Sequence, residues 1–166
     1  MERKIDLEAQ TLRLGLMTGC FSLTDVVSWA DKLILEQDTP AYELLDLSLM
    51  ANSNPYDVAK LLESLANDID KFDTLRILLG FIYLELSTDH QKGEDFARGL
   101  YEIAAQNDYI LPDEFIYFHG LDDDSLAKEG YTSYDHEEIT KDFLTYLKPY
   151  EKNAADFSHL HGDNHD

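Results

Sequence analysis

The sequence predicts an all-α protein of about eight helices, arranged as an irregular antiparallel bundle or a short α-solenoid. Helix-start signals stand before segments whose apolar residues recur every three or four positions. No segment of useful length alternates apolar and polar residues as a half-buried strand would. The chain has 166 residues and 44% hydrophobic content, which is enough for the core of one domain.

The first helices follow from periodicity and from proline. Apolar spacing predicts helices over residues ~5–18 and ~23–37. Thr39-Pro40 and Asn54-Pro55 each place a capping residue before a proline, so we expect a helix to begin at each proline. The second of these helices carries an apolar stripe of Val58, Leu61, Leu62, Leu65 and Ile69.

The segment from Phe72 to Leu86 is apolar on nearly every face. A helix of this kind needs neighbours all round, so we expect it to be the central and most buried one. Further helices are predicted over residues ~92–106, ~113–119 and ~135–147, with Asp135 and Glu138 resembling a capping box.

Composition divides the chain after Pro149. Residues 1–149 are predicted to form a single helical domain. The remainder turns polar and ends in "SHLHGDNHD", so residues 150–166 are expected to form a flexible polar tail.

The charge balance restricts the possible partners. The chain has 34 Asp and Glu against 13 Lys and Arg, giving a net charge of −21. Nucleic acid and anionic membranes would be repelled, so neither is expected to bind directly. Ten Tyr and eight Phe argue against disorder, which acidic chains otherwise favour. A cationic protein is therefore the favoured partner.

Cysteine usage and hydropathy indicate the compartment. Cys20 is the single cysteine, which excludes an intramolecular disulfide and fits a reducing environment. The longest apolar run, Ile77 to Leu84, is far shorter than the ~20 residues that a membrane-spanning helix needs. We expect a cytoplasmic protein in which Cys20 is buried.

Three adjacent aspartates stand in "LDDDSLAKEG", Leu121 to Gly130. A calcium loop, a helix cap and a surface for a cationic partner are the competing explanations. The calcium count fails, because Leu126 and Ala127 fall where an oxygen ligand and a glycine are needed. Asp124 can cap a short helix, which leaves Asp122 and Asp123 for a partner.

No motif for catalysis is found. The sequence lacks a nucleophile elbow, a glycine-rich phosphate loop and a repeated Glu-x-x-His. His159, His161 and His165 could hold a metal, but plain solvation of a polar tail is favoured. Carboxylate pairs are too abundant to single one out. We expect no enzymatic activity, no cofactor and no metal.

The densest charge lies between Asp108 and Asp142, where eleven acidic residues face two lysines, a net −9 over 35 residues interleaved with tyrosines. A solvated acidic surface is one interpretation. The other is a contact surface with tyrosine anchors for a cationic protein. The candidate partner-binding residues are Asp113, Glu114, Asp122, Asp123, Asp124, Tyr131, Tyr134, Asp135, Glu137 and Glu138.

Two segments, "PAYELLDLSLMANSNPYDVAKLLESLA" (Pro40 to Ala66) and "IYFHGLDDDSLAKEGYTSYDHEEITKDFLTYLKPY" (Ile116 to Tyr150), resemble immunity proteins of bacterial polymorphic toxin systems. These include contact-dependent growth inhibition and Maf-type systems. The likeness rests on helix texture and on the Asp-rich loop before a terminal Ile-x-x-x-Phe-Leu helix.

The resemblance implies a protein that binds and neutralises one cognate toxin domain. A nuclease is the expected target, with an EndoU-like RNase as the first choice, because a basic substrate-binding surface suits an acidic inhibitor. The alternative is a helical adaptor or scaffold unrelated to toxins, which would bind through an apolar groove.

Overall fold

Helices account for the regular structure of the chain, as predicted. The computed structural model describes residues 2–67, 69–107, 110–121 and 136–162. Within these ranges it contains eight α-helices and no strand, which confirms the all-α fold. The helices are α1 Glu2–Thr18, α2 Leu23–Glu36, α3 Tyr42–Ser48, α4 Pro55–Leu65, α5 Lys71–Thr88, α6 Gly93–Gln106, α7 His136–Leu147 and α8 Glu151–Ala154. Short 3-10 helices include Asp113–Gly120 and Ala155–Leu160.

Side-chain caps fix several helix starts. Asn54 Oδ1 accepts a hydrogen bond from the Tyr56 amide at 2.8 Å, with Pro55 in the first turn of α4, as predicted. Ser22 forms a capping box with Asp25 at the start of α2. Such caps satisfy amides that have no partner inside the helix.

Two local predictions need correction. α3 begins at Tyr42 rather than at Pro40, and its N-cap residue Ala41 makes no side-chain cap bond. The inward-facing Leu44 and Leu47 on α3 are buried, so tertiary packing favours a start that the cap signal did not mark. The segment expected as a helix over residues ~113–119 is a 3-10 helix.

α5 is the central helix, as expected. Nine of its residues are buried, including Leu78, Leu79 and Ile82 at full burial. It contacts α1, α7 and α8, so neighbours enclose it on several sides. A helix that is apolar nearly all round is stable in water only when it is surrounded in this way.

The C-terminal segment packs on α5, which corrects the expectation of a flexible tail for residues 151–162. Ala154 and Leu160 are buried, and Phe157 packs against the same core. Their spacing of three residues matches one turn of a 3-10 helix, so a few apolar side chains suffice to line one face. Composition alone cannot show so sparse a pattern, and residues 163–166 lie outside the described ranges.

Gly80 allows this packing. A Cβ atom at this position would collide with the Tyr150 carbonyl oxygen and lie 2.9 Å from the Ala154 Cβ. The C-terminal segment therefore lies directly against the backbone of α5, closer than any side chain would permit.

A buried carboxylate ties three segments together. Glu8 on α1 is only 3% exposed. Its Oε2 accepts a hydrogen bond from Trp29 Nε1 on α2 at 2.7 Å, and its Oε1 lies 2.7 Å from His159 Nε2. A buried charge without such partners would cost several kcal/mol, so the three residues stabilise one another's positions.

Replacing Leu160 with Ala tests the packing of the C-terminal segment. Removing a fully buried leucine side chain is expected to lower the free energy of unfolding by about 2–3 kcal/mol, measured by urea denaturation. Ser158→Ala, at an exposed neighbouring position, should change it little. Equal stability of the Leu160→Ala variant and the native protein would show that the segment contributes no packing.

Candidate partner-binding surface

The predicted contact residues fall into three groups. Asp122, Asp123, Asp124, Tyr131, Tyr134 and Asp135 lie outside the described residues, and so does the expected cap role of Asp124. Asp113 and Glu114 open the 3-10 helix Asp113–Gly120. Glu137 and Glu138 lie in the first turn of α7, where negative charge is favourable to the helix dipole.

Glu114 is engaged within the protein. Arg76 on α5 binds its carboxylate through Nη2 at 2.5 Å and through Nε at 3.2 Å. Tyr150 donates a hydrogen bond to the Glu114 Oε2 at 3.1 Å. These hydrogen bonds, from Arg76 above all, hold the pKa of Glu114 below its ordinary value. Of the predicted contact residues that the structure describes, Glu114 is therefore the least available to a partner.

The partner of Glu114, Arg76, was not predicted from the sequence. Its guanidinium also binds Asp73, one turn earlier on α5, at 2.8 Å. Arg76 is the one arginine of α5, and its position in the mostly apolar part of that helix was the available signal, because such a charge needs a partner. Its partner Glu114 is 38 positions away, so local spacing could not identify it.

A stack of tyrosines joins the 3-10 helix to α7. The Tyr117 ring stacks on the Tyr146 ring with centroids 4.3 Å apart, and Tyr146 donates a hydrogen bond to the Glu114 carbonyl oxygen at 2.7 Å. Burial raises the pKa of Tyr146, so its hydroxyl stays protonated and able to donate. The stack fixes how the segment carrying Asp113 lies against the segment carrying Glu137.

Glu137 and Glu138 line a groove of about 790 Å³ at the junction of α5 and α7. The carboxylates of α7 share this groove with Lys141 on the same helix and with Lys148 just after it, so the groove has both charge signs. The other lining residues are Tyr83, Ser87, His90, Lys141, Asp142, Leu144, Thr145 and Lys148. A mixed groove of this kind can bind polar groups of a partner, but its charge is far less one-sided than that of the chain as a whole.

Three of the predicted residues, Asp113, Glu137 and Glu138, are exposed and make no ion pair within the described part of the chain. By contrast, Glu8, Glu85 and Glu114 each have a close cationic or imidazole partner. Asp113, Glu137 and Glu138 are therefore more available to an external cation than these paired carboxylates are.

The reactive side chains Cys20, His159 and His161 are buried or in contact with neighbouring residues. Burial raises the pKa of the Cys20 thiol well above its ordinary value, so the thiol is protonated and a poor nucleophile. His159 is bound to Glu8, and the His161 ring stacks on Phe21 with centroids 4.5 Å apart. Among the residues that the structure describes, no cluster of three or more His, Cys, Asp or Glu could hold a metal ion.

No described helix is both long enough and apolar enough to cross a membrane.

The family relationship follows from a match over most of the chain. Residues 1–149 match the model of a family described as "Uncharacterized protein conserved in bacteria (DUF2247)". The chain belongs to this family. No curated protein and no solved structure matches the chain.

The DUF2247 match includes every predicted contact residue and the groove. It ends before α8, so the segment that lies on Gly80 and the His159 side chain that meets Glu8 are outside the matched residues. The candidate surface thus lies within the residues that match the family. Part of the packing that holds the bundle beneath it comes from residues beyond the match.

Replacing Glu114 with Gln tests its internal role. Because the folded protein holds the pKa of Glu114 below 4.5, its charge stabilises the fold above that pH. That stabilisation is lost as the pH falls through the lowered pKa. At pH 7 we expect a loss of about 1 kcal/mol, a modest value because the carboxylate is 35% exposed to screening solvent.

The measurement is urea denaturation of both proteins at pH 7 and at about pH 3.5, where the difference should shrink. Glu102→Gln, an exposed glutamate on α6, serves as the control and should be near neutral at both pH values. A loss that is the same at both pH values would contradict a role for the Glu114 charge.

Proposed function

We propose that this DUF2247 protein is an immunity protein that binds and neutralises a cognate basic toxin domain, with a nuclease such as an EndoU-like RNase as the target class. The observation that carries the proposal is the set of exposed carboxylates Asp113, Glu137 and Glu138, which make no ion pair within the described residues of a chain of net charge −21. The same region includes the sequence-predicted contacts whose structure is not described.

Electrostatics explains how such a surface would act. A nuclease binds a polyanion, so its substrate-binding surface is cationic. A protein of net charge −21 would be drawn to that surface and could occupy it in place of nucleic acid. Long-range attraction raises the association rate about 10- to 1,000-fold, which suits an inhibitor that must act before its target does damage.

The packing beneath the carboxylates would also favour binding. The Tyr117–Tyr146 stack and the Arg76–Glu114 pair hold the 3-10 helix against the bundle. A surface that is already ordered loses less conformational entropy when a partner binds. Neutralisation needs no catalysis in this scheme, and we place the protein in the cytoplasm of the cell that produces the toxin.

The adaptor alternative differs in the dominant force. An adaptor would bind mainly through apolar side chains, so its affinity would depend weakly on salt. If the exposed carboxylates dominate binding, the affinity should fall steeply as the salt concentration rises. Apolar side chains are exposed on α3 and at its C-cap, and they could contribute to binding of a partner.

Neutralising Glu137 and Glu138 together tests the proposed surface. The partner to be tested is the C-terminal domain of the protein that the neighbouring upstream gene encodes. The Glu137→Gln/Glu138→Gln variant should bind that domain about tenfold more weakly in calorimetric titration at low salt, and the difference should narrow as salt is added. Its helicity should be unchanged.

Glu94→Gln/Asp95→Asn provides the matched control, since these exposed acids also occupy the first turn of a helix. It should bind like the native protein. Reversing Asp122, Asp123 and Asp124 to lysine should abolish inhibition of the domain's nuclease activity while helicity is retained. Failure of the native protein to bind the domain would overturn the proposal. So would equal weakening of binding by the Glu137→Gln/Glu138→Gln variant and the Glu94→Gln/Asp95→Asn control.

A further inference from the structure

One face of α3 carries apolar side chains into solvent. Tyr42, Leu45 and Leu49 are 80%, 39% and 84% exposed. Their spacing of three and four residues places them on one side of the helix and its C-cap, and we call this side the α3 face. Leu44 and Leu47 occupy the opposite side and are buried. The α3 helix is therefore apolar on two sides although only one of them packs against the core.

The two helices next to α3 also carry exposed apolar side chains. α3 contacts both α2 and α4. Leu35 in the last turn of α2 is 86% exposed, and Tyr56 in the first turn of α4 is 65% exposed. Scattered single apolar residues are ordinary on protein surfaces, but five of the eight exposed large apolar residues in the described part of the chain lie within the 22 residues from Leu35 to Tyr56, a concentration that favours an interaction site.

Charge indicates the chemistry of the partner. Residues 33–59 contain five carboxylates and no lysine or arginine. Asp46 lies on the α3 face itself, one turn from both Tyr42 and Leu49. The five acidic residues are Glu36, Asp38, Glu43, Asp46 and Asp57.

Tyr56 lies next to an ammonium group of the same chain. Lys60 Nζ lies 4.6 Å from the centroid of the Tyr56 ring, within the range of a cation–π contact. The Tyr56 ring therefore accepts an ammonium group on one side while 65% of the residue stays exposed to solvent.

We propose that the α3 face docks a basic amphipathic helix of a partner protein, whose apolar side packs on Tyr42, Leu45 and Leu49 while its lysines and arginines meet the surrounding carboxylates. A second copy of this chain would bring two such acidic surfaces together and be repelled. An anionic membrane surface would be repelled for the same reason. The inference takes its cationic protein partner from the proposed function but assigns it a different surface.

The test uses a defined probe. A fluorescein-labelled synthetic peptide of about 18 leucine and lysine residues, arranged to form an amphipathic helix, is titrated with the protein and followed by fluorescence anisotropy. A peptide of the same composition with scrambled order has the same charge but no apolar face. The native protein should bind the amphipathic peptide about tenfold or more tightly than the scrambled one.

Variants then locate the binding site. Tyr42→Ser/Leu49→Ser should weaken binding of the amphipathic peptide about tenfold or more, with unchanged helicity because both side chains face solvent. Ile110→Ser/Ile116→Ser is the matched control, since these two residues are also exposed apolar residues, 78% and 61%, outside the α3 face. The control should bind like the native protein.

Three results would overturn the inference. These are equal binding of the two peptides, equal weakening by both serine variants, and a native dimer in sedimentation velocity that Tyr42→Ser/Leu49→Ser dissociates. The test is independent of the toxin experiment. Peptide binding at the α3 face without toxin binding would overturn the proposed function alone, whereas toxin binding together with equal binding of the two peptides would overturn the α3 face alone.

Discussion

The enclosure of α5 is the constraint on which the rest of the structure depends. This helix is apolar on nearly every side, so it is stable only when other elements cover it. α1, α7 and α8 supply that cover, and Gly80 lets the C-terminal segment lie against the α5 backbone. α7 and the 3-10 helix Asp113–Gly120 are held against this one helix. The position of the candidate surface follows from that packing.

The same constraint divides the acidic residues into two classes. Carboxylates that lie near the core need partners, and Glu8 and Glu114 have them in Trp29 with His159 and in Arg76. Exposed carboxylates keep their hydration and need none. The net charge of −21 is thus borne mainly at the surface, where it can attract a cationic protein without weakening the core.

Two surfaces result, and they differ in character. The region of Asp113, Glu137 and Glu138 is charged and rests on a tyrosine stack. The α3 face is apolar with an acidic surround. Charge at one surface and apolar anchors at the other would combine fast association with slow dissociation, because steering acts on the encounter and buried apolar contacts act on the lifetime of a complex.

The sequence by itself determined the all-α fold, the central position of α5, the Asn54 cap and the burial of Cys20. Each of these depends on a signal within a few residues, such as apolar periodicity, a capping side chain or a small apolar residue. Only the tertiary structure decided that residues 151–162 pack on the bundle, that α3 begins at Tyr42 and that Glu114 is held by Arg76. Those outcomes depend on contacts between residues far apart in sequence, as with Glu8 and His159, which no local pattern encodes.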